Sequence, residues 1–106
     1  MRPRGDSMST RAHAIRFCIP ATHPALSGHF PGQPVVPGVV LLDRVAALVE
    51  QVYGAAVAGL PQAKFLRPLL PEQDAELIVE DDGKRVHFRI LHDAAPVATG
   101  TVELAR

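Results

Sequence analysis

Three residues in one short stretch are of the types that proton-transfer chemistry needs. They are His29, Gly38 and Asp43, within the string Gly28-His29-Phe30-Pro31-Gly32-Gln33-Pro34-Val35-Val36-Pro37-Gly38-Val39-Val40-Leu41-Leu42-Asp43. His29 sits in a loop stiffened on both sides by proline and glycine, so its imidazole is expected to be held in place. Gly38 opens a helix that has no Ser, Thr or Asp to cap it. The first N–H groups there stay available to a carbonyl or an anion, helped by the positive end of the helix dipole. Asp43 follows just past the first turn, with Val39, Val40, Leu42 and Ala47 around it in sequence. Such apolar company is expected to raise its pKa and suit it to act as an acid. A base, an acid and a backbone donor are what elimination of water from a 3-hydroxyacyl thioester requires. The base takes the proton beside the carbonyl, the N–H steadies the developing enolate, and the acid protonates the departing hydroxyl.

The elements that must position these groups follow from periodicity. Ala14 to Ile19 alternates, with Ile15, Phe17 and Ile19 on one side, and predicts a half-buried strand ended by Pro20. On that pattern Cys18 is a small packing residue rather than a nucleophile. Prolines at 20, 24, 31, 34 and 37, with Gly28, Gly32 and Gly38, predict a long fixed loop from 20 to 38. A helix is expected from about Val39 to Tyr53, stopped by Gly54. Its apolar residues, from Leu41 and Leu42 to Val52 and Tyr53, cover an arc wide enough for the helix to be largely enclosed. Ala63 to Leu69 reads as a strand. Alternation then predicts strands around Ala75–Val79, Val86–Ile90 and Ala98–Leu104, with a hairpin at Asp81-Asp82-Gly83 and a turn at His92 to Ala95. The plan is an α+β fold in which an antiparallel sheet wraps one central helix.

Bulk properties bound the function. The 106 residues suffice for one core, and residues 1–11 carry no hydrophobic period, so a tail followed by a single domain at 12–106 is expected. Eleven basic residues balance eleven acidic ones, so no single-signed field points to nucleic acid or a membrane surface. The longest apolar run, Val35 to Leu42, is interrupted by Pro37 and Gly38 and is too short to span a bilayer. One cysteine and the absence of an apolar stretch behind the basic N-terminal residues lead to a cytoplasmic expectation. His13, His23 and His29 lack any known metal-ligand spacing, so no metal is expected. Lys64, Arg67 and Arg44 are either solvated charge or a meeting surface for an acidic partner.

The string GHFPGQPVVPGVVLLD resembles the signature of the 3-hydroxyacyl-[acyl-carrier-protein] dehydratases of fatty acid synthesis, and Lys64-Phe65-Leu66-Arg67-Pro68 resembles that family's second strand. The likeness runs from about Ile15 to Leu104. It implies a hot-dog fold, acting as a homodimer or higher even oligomer, with His29 of one subunit facing Asp43 of the other. It implies that the backbone carbonyl of Val35 orients His29 and that the Gly38 N–H holds the thioester carbonyl. The substrate would ride on the 4'-phosphopantetheine arm of acyl carrier protein, with no further cofactor. An acidic residue of the Asp type resembles the decanoyl and aryl-polyene-cluster dehydratases, whereas the long-chain type carries Glu. Pro71-Glu72-Gln73-Asp74 departs from the usual Pro-Gly-Asp turn. Two alternatives stand beside this reading: a hot-dog acyl thioesterase, and a non-catalytic hot-dog partner subunit that positions a carrier protein.

Overall fold

The computed structural model describes residues 12–26 and 35–105. The N-terminal tail 1–11 and the motif residues 27–34, His29 among them, lie outside the described residues. Five strands, β1 (Ala12–Phe17), β2 (Val57–Phe65), β3 (Ala75–Asp81), β4 (Val86–His92) and β5 (Ala95–Leu104), form one sheet in the order β1-β3-β4-β5-β2. Every neighbouring pair is antiparallel. Among the described residues there is one α-helix, α1 (Gly38–Tyr53), which packs against β2 and β3.

Period-two alternation explains the sheet's two faces. Leu77, Val79, Val86, Phe88, Ile90, Ala98 and Val102 all turn inward, and each is essentially inaccessible to solvent. The registers Val79↔Phe88 and Leu77↔Ile90 place these side chains in cross-strand rows. From the other side, Val40, Leu41, Val45, Leu48 and Val49 of α1 complete one continuous core. Each such side chain contributes about 1.5–3 kcal/mol over leaving it exposed. The helix ends at Gly54 in the left-handed conformation, φ 67°, whose N–H returns to the Glu50 carbonyl at 2.9 Å.

The outer face is polar and tied by its turns. Asp82 in the β3–β4 hairpin accepts the N–H groups of Lys84 and Arg85, each at 2.9 Å, and pairs with His87 Nε2 at 2.8 Å. These bonds, the Arg85 N–H foremost, hold the Asp82 carboxyl far below the ordinary carboxylate range. His87 Nδ1 meets Thr101 Oγ1 at 3.1 Å, and Arg85 pairs with Glu103 at 2.9 Å.

Four sequence expectations shift. The strand expected at Ala63–Leu69 is instead Val57–Phe65, a longer edge strand that carries Gly59 and Pro61. Proline lacks an N–H to pair but is tolerated at an edge, and the register with β5 slips between Gly59 and Gln62. The first strand runs Ala12–Phe17 rather than Ala14–Ile19. Cys18 therefore falls outside the strand and is exposed, which corrects its reading as a packing residue, while Ile19 is fully buried. The proline-rich stretch is not wholly irregular, because Pro24–Leu26 makes one 3-10 turn.

Candidate active site

The site is built where the loop enters α1. Pro37 stands at the N-cap with φ −62° and ψ 145° and offers no side-chain hydrogen bond. Its carbonyl accepts the N–H of Val40 at 3.0 Å and, at 3.4 Å, that of Leu41. The Gly38 and Val39 N–H groups are left over by the helix's own ladder, and no acidic side chain occupies the first turn to offset the positive helix end. The uncapped start expected from the sequence is present, one residue earlier than the expected helix.

Around this helix end lies an apolar cleft of about 570 Å³, bounded by Val35, Pro37, Gly38, Leu41, Phe65 and Leu66 among others. Two backbone ties hold its walls. The Val36 N–H donates to the Leu69 carbonyl at 2.8 Å, and the Leu66 N–H donates to the Val97 carbonyl at 2.8 Å. Arg67 is the one charged residue lining the cleft among the described residues. Such a cleft accepts an apolar chain and has the Gly38 backbone in its wall.

Val35 and Gly38 thus meet in one cleft. Asp43 does not join them. It is exposed on the helix side that this chain's own sheet leaves open, in line with Val39, which is 64% exposed. The apolar neighbours that suggested enclosure lie on different faces, with Val40 buried and Val39 and Ala47 exposed. His29 lies outside the described residues, so the sheet and helix give its distance to neither partner. Sequence reading missed Phe65 as a site residue, because its approach to Gly38 joins positions 27 residues apart. The only local signal was the exposed end of an alternating strand. Among the described residues, no group of three or more His, Cys, Asp and Glu is placed to hold a metal ion.

One helix laid on a five-stranded antiparallel sheet is the architecture of the hot-dog fold. Within that fold the chain matches the ApeI-like family, described as ApeI dehydratase, over residues 6–101, and it belongs to that family. It is similar to the ApeI:P dehydratase heterocomplex from Xenorhabdus doucetiae, with TM-score 0.81 and 27% identity over 91% of this chain and 88% of that one. It is 38% identical over 72 residues to the 3-hydroxyacyl-[acyl-carrier-protein] dehydratase FabZ of Mannheimia succiniciproducens, covering 58% of this chain and 48% of that protein. The corresponding enzyme of Haemophilus influenzae is 35% identical over 77 residues, 63% of this chain and 52% of that protein. The chain spans about half the length of these curated relatives. An (R)-hydratase from A. caviae shares the fold, with TM-score 0.72 at 19% identity.

Proposed function

We propose that this protein dehydrates 3-hydroxyacyl thioesters carried on acyl carrier protein, giving trans-2-enoyl thioesters for fatty acid or polyene-type lipid synthesis. The observation that carries this reading is the family match across residues 6–101, which takes in the whole string from Gly28 to Asp43. His29 removes the proton beside the carbonyl, and the C–H electron pair moves into an enolate held by the Gly38 N–H. The enolate collapses to the Cα–Cβ double bond, and the β-hydroxyl leaves as water with a proton from Asp43. The Val35 carbonyl orients the His29 ring. No cofactor is needed beyond the 4'-phosphopantetheine arm, for which the apolar cleft at Gly38 is the natural berth.

The site is completed by a second subunit, because Asp43 faces away from the cleft that holds Gly38 in the single chain. The exposed β1 and β2 edges suit pairing into a homodimer. The likeness to one member of a heterocomplex favours a second form of the same idea, in which a different hot-dog chain supplies the missing half. Lys64 and Arg67, exposed beside the cleft, suit an acidic carrier protein. No described helix is long and apolar enough to cross a membrane, and the proposed place of work is the cytoplasm.

The test is to incubate the purified protein with a 3-hydroxyacyl carrier-protein thioester, following both enoyl formation and release of free thiol. Enoyl product without thiol release is expected. Thiol release without enoyl product would make the chain a thioesterase instead.

A further inference from the structure

The ring of Phe65 occupies the space that any side chain at position 38 would need. A Cβ on Gly38 would meet Phe65 Cζ at 2.8 Å, Cε1 at 3.0 Å and Cε2 at 3.4 Å. These are the atoms of the ring's far end, so the ring tip is aimed at the first residue of α1. The base of the ring is fixed, since Phe65 pairs with Ala98 at the end of β2 and the next N–H is bonded to the Val97 carbonyl at 2.8 Å. Yet the side chain is 51% exposed, although it projects to the same side of the sheet as the helix. A core phenylalanine would be covered, as Phe88 is at 1% exposure. A half-open aromatic ring at the rim of an apolar cleft, in contact with the helix start, has the character of a binding wall.

We propose that Phe65 is a positioning residue for the thioester. This rests on the dehydratase reading of the site. The ring and the Gly38 backbone together form the wall along which the thioester arm lies. The ring fixes how far the carbonyl can slide past the Gly38 N–H. A side chain at 38 would displace the ring tip from this wall. Misplacing a reacting group by about 1 Å can cost on the order of 10²-fold in rate, so a loosened wall is read in turnover.

The experiment compares kcat and KM of wild type, Phe65→Tyr, Phe65→Leu, Phe65→Ala, Gly38→Ala and the Gly38→Ala/Phe65→Ala double variant, with thermal melts of each. Phe65→Ala should lower kcat about tenfold or more while KM moves less than about threefold. Phe65→Tyr, which keeps the ring, should retain near wild-type turnover. Gly38→Ala should cost much less on the Phe65→Ala background than alone, because the ring it collides with is gone. Phe65→Leu keeps most of the apolar burial and serves if Phe65→Ala does not fold. Wild-type turnover in Phe65→Leu and Phe65→Ala would overturn the inference alone. So would a loss of kcat that follows the fraction unfolded. A wild-type chain that forms no enoyl product would overturn the functional reading and this inference with it.

Discussion

Glu72 holds the turn between β2 and β3 in a conformation that side chains disfavour, and its replacement separates two opposing effects. Its φ is +69°, within the left-handed region. Its N–H donates to the Ile19 carbonyl at 2.8 Å, and its carboxylate accepts the Ala21 N–H at 2.8 Å. The turn is thereby fastened to the segment after β1 that leads toward the loop carrying His29. Glu72→Ala removes the carboxylate bond but keeps the backbone penalty, and should cost about 1 kcal/mol, below the roughly 1.5–3 kcal/mol of a bond to a charged group because the site is exposed. Glu72→Gly loses the same bond but escapes a left-handed penalty of roughly 1–2 kcal/mol, part of which returns as unfolded-chain entropy. The glycine variant should therefore be more stable than the alanine variant by about 1 kcal/mol, and close to wild type. For a domain of this size that gap is about 4 °C in melting temperature. Paired urea and thermal unfolding curves measure it. Equal stabilities, or a glycine variant weaker than alanine, would refute the reasoning that backbone strain is stored at this turn.

Three further outcomes follow from the structure. Gly100→Ala places a Cβ 2.5 Å from the Gln62 carbonyl oxygen and from the Phe88 ring, so it should destabilise by roughly 1–3 kcal/mol or more, read by denaturation. Asp82 titrates lower when folded than when unfolded, so its contribution is present above the ordinary Asp range and lost as pH falls through its folded value. The stability gap between wild type and Asp82→Ala should accordingly shrink as pH drops below about 4, and a gap constant down to the acid limit would contradict this. The Tyr53 hydroxyl is buried with no hydrogen-bond partner among the described residues, and burial first, then Asp81 and Glu80, raises its pKa. Tyr53→Phe should be stabilising by about 1 kcal/mol and should blunt the loss of stability as pH rises through about 10.

Much of the fold was legible because its strands are one-sided. Ala75-Glu76-Leu77 and Val86-His87-Phe88 alternate cleanly, so burial of every second residue fixes both strand and face. The first half of β2 was not legible, since Gly59, Leu60 and Pro61 have the composition of a loop and become a strand only by lying at the sheet's edge. Cys18 misled because alternation continues past the point where pairing to β3 stops at Phe17. At the site, the uncapped start at Gly38 could be read locally from Pro37-Gly38. The openness of Asp43 could not, because apolar neighbours in sequence do not say which helix face a carboxylate shares. The Phe65 ring against Gly38 is a contact between β2 and the start of α1, and neither local sequence says that the two segments meet.

The central claim is that His29 and Asp43 act together on one substrate from different subunits, and mixing two defective variants tests it most directly. His29→Ala and Asp43→Asn should each lower enoyl formation by about 10²-fold or more. Refolded together at equal amounts, half the dimers are mixed and one of two sites in each carries both native residues, so about a quarter of wild-type activity should return. Full activity in either variant alone would contradict the assignment of the pair, and confirmed mixed dimers that recover nothing would contradict a site shared between subunits.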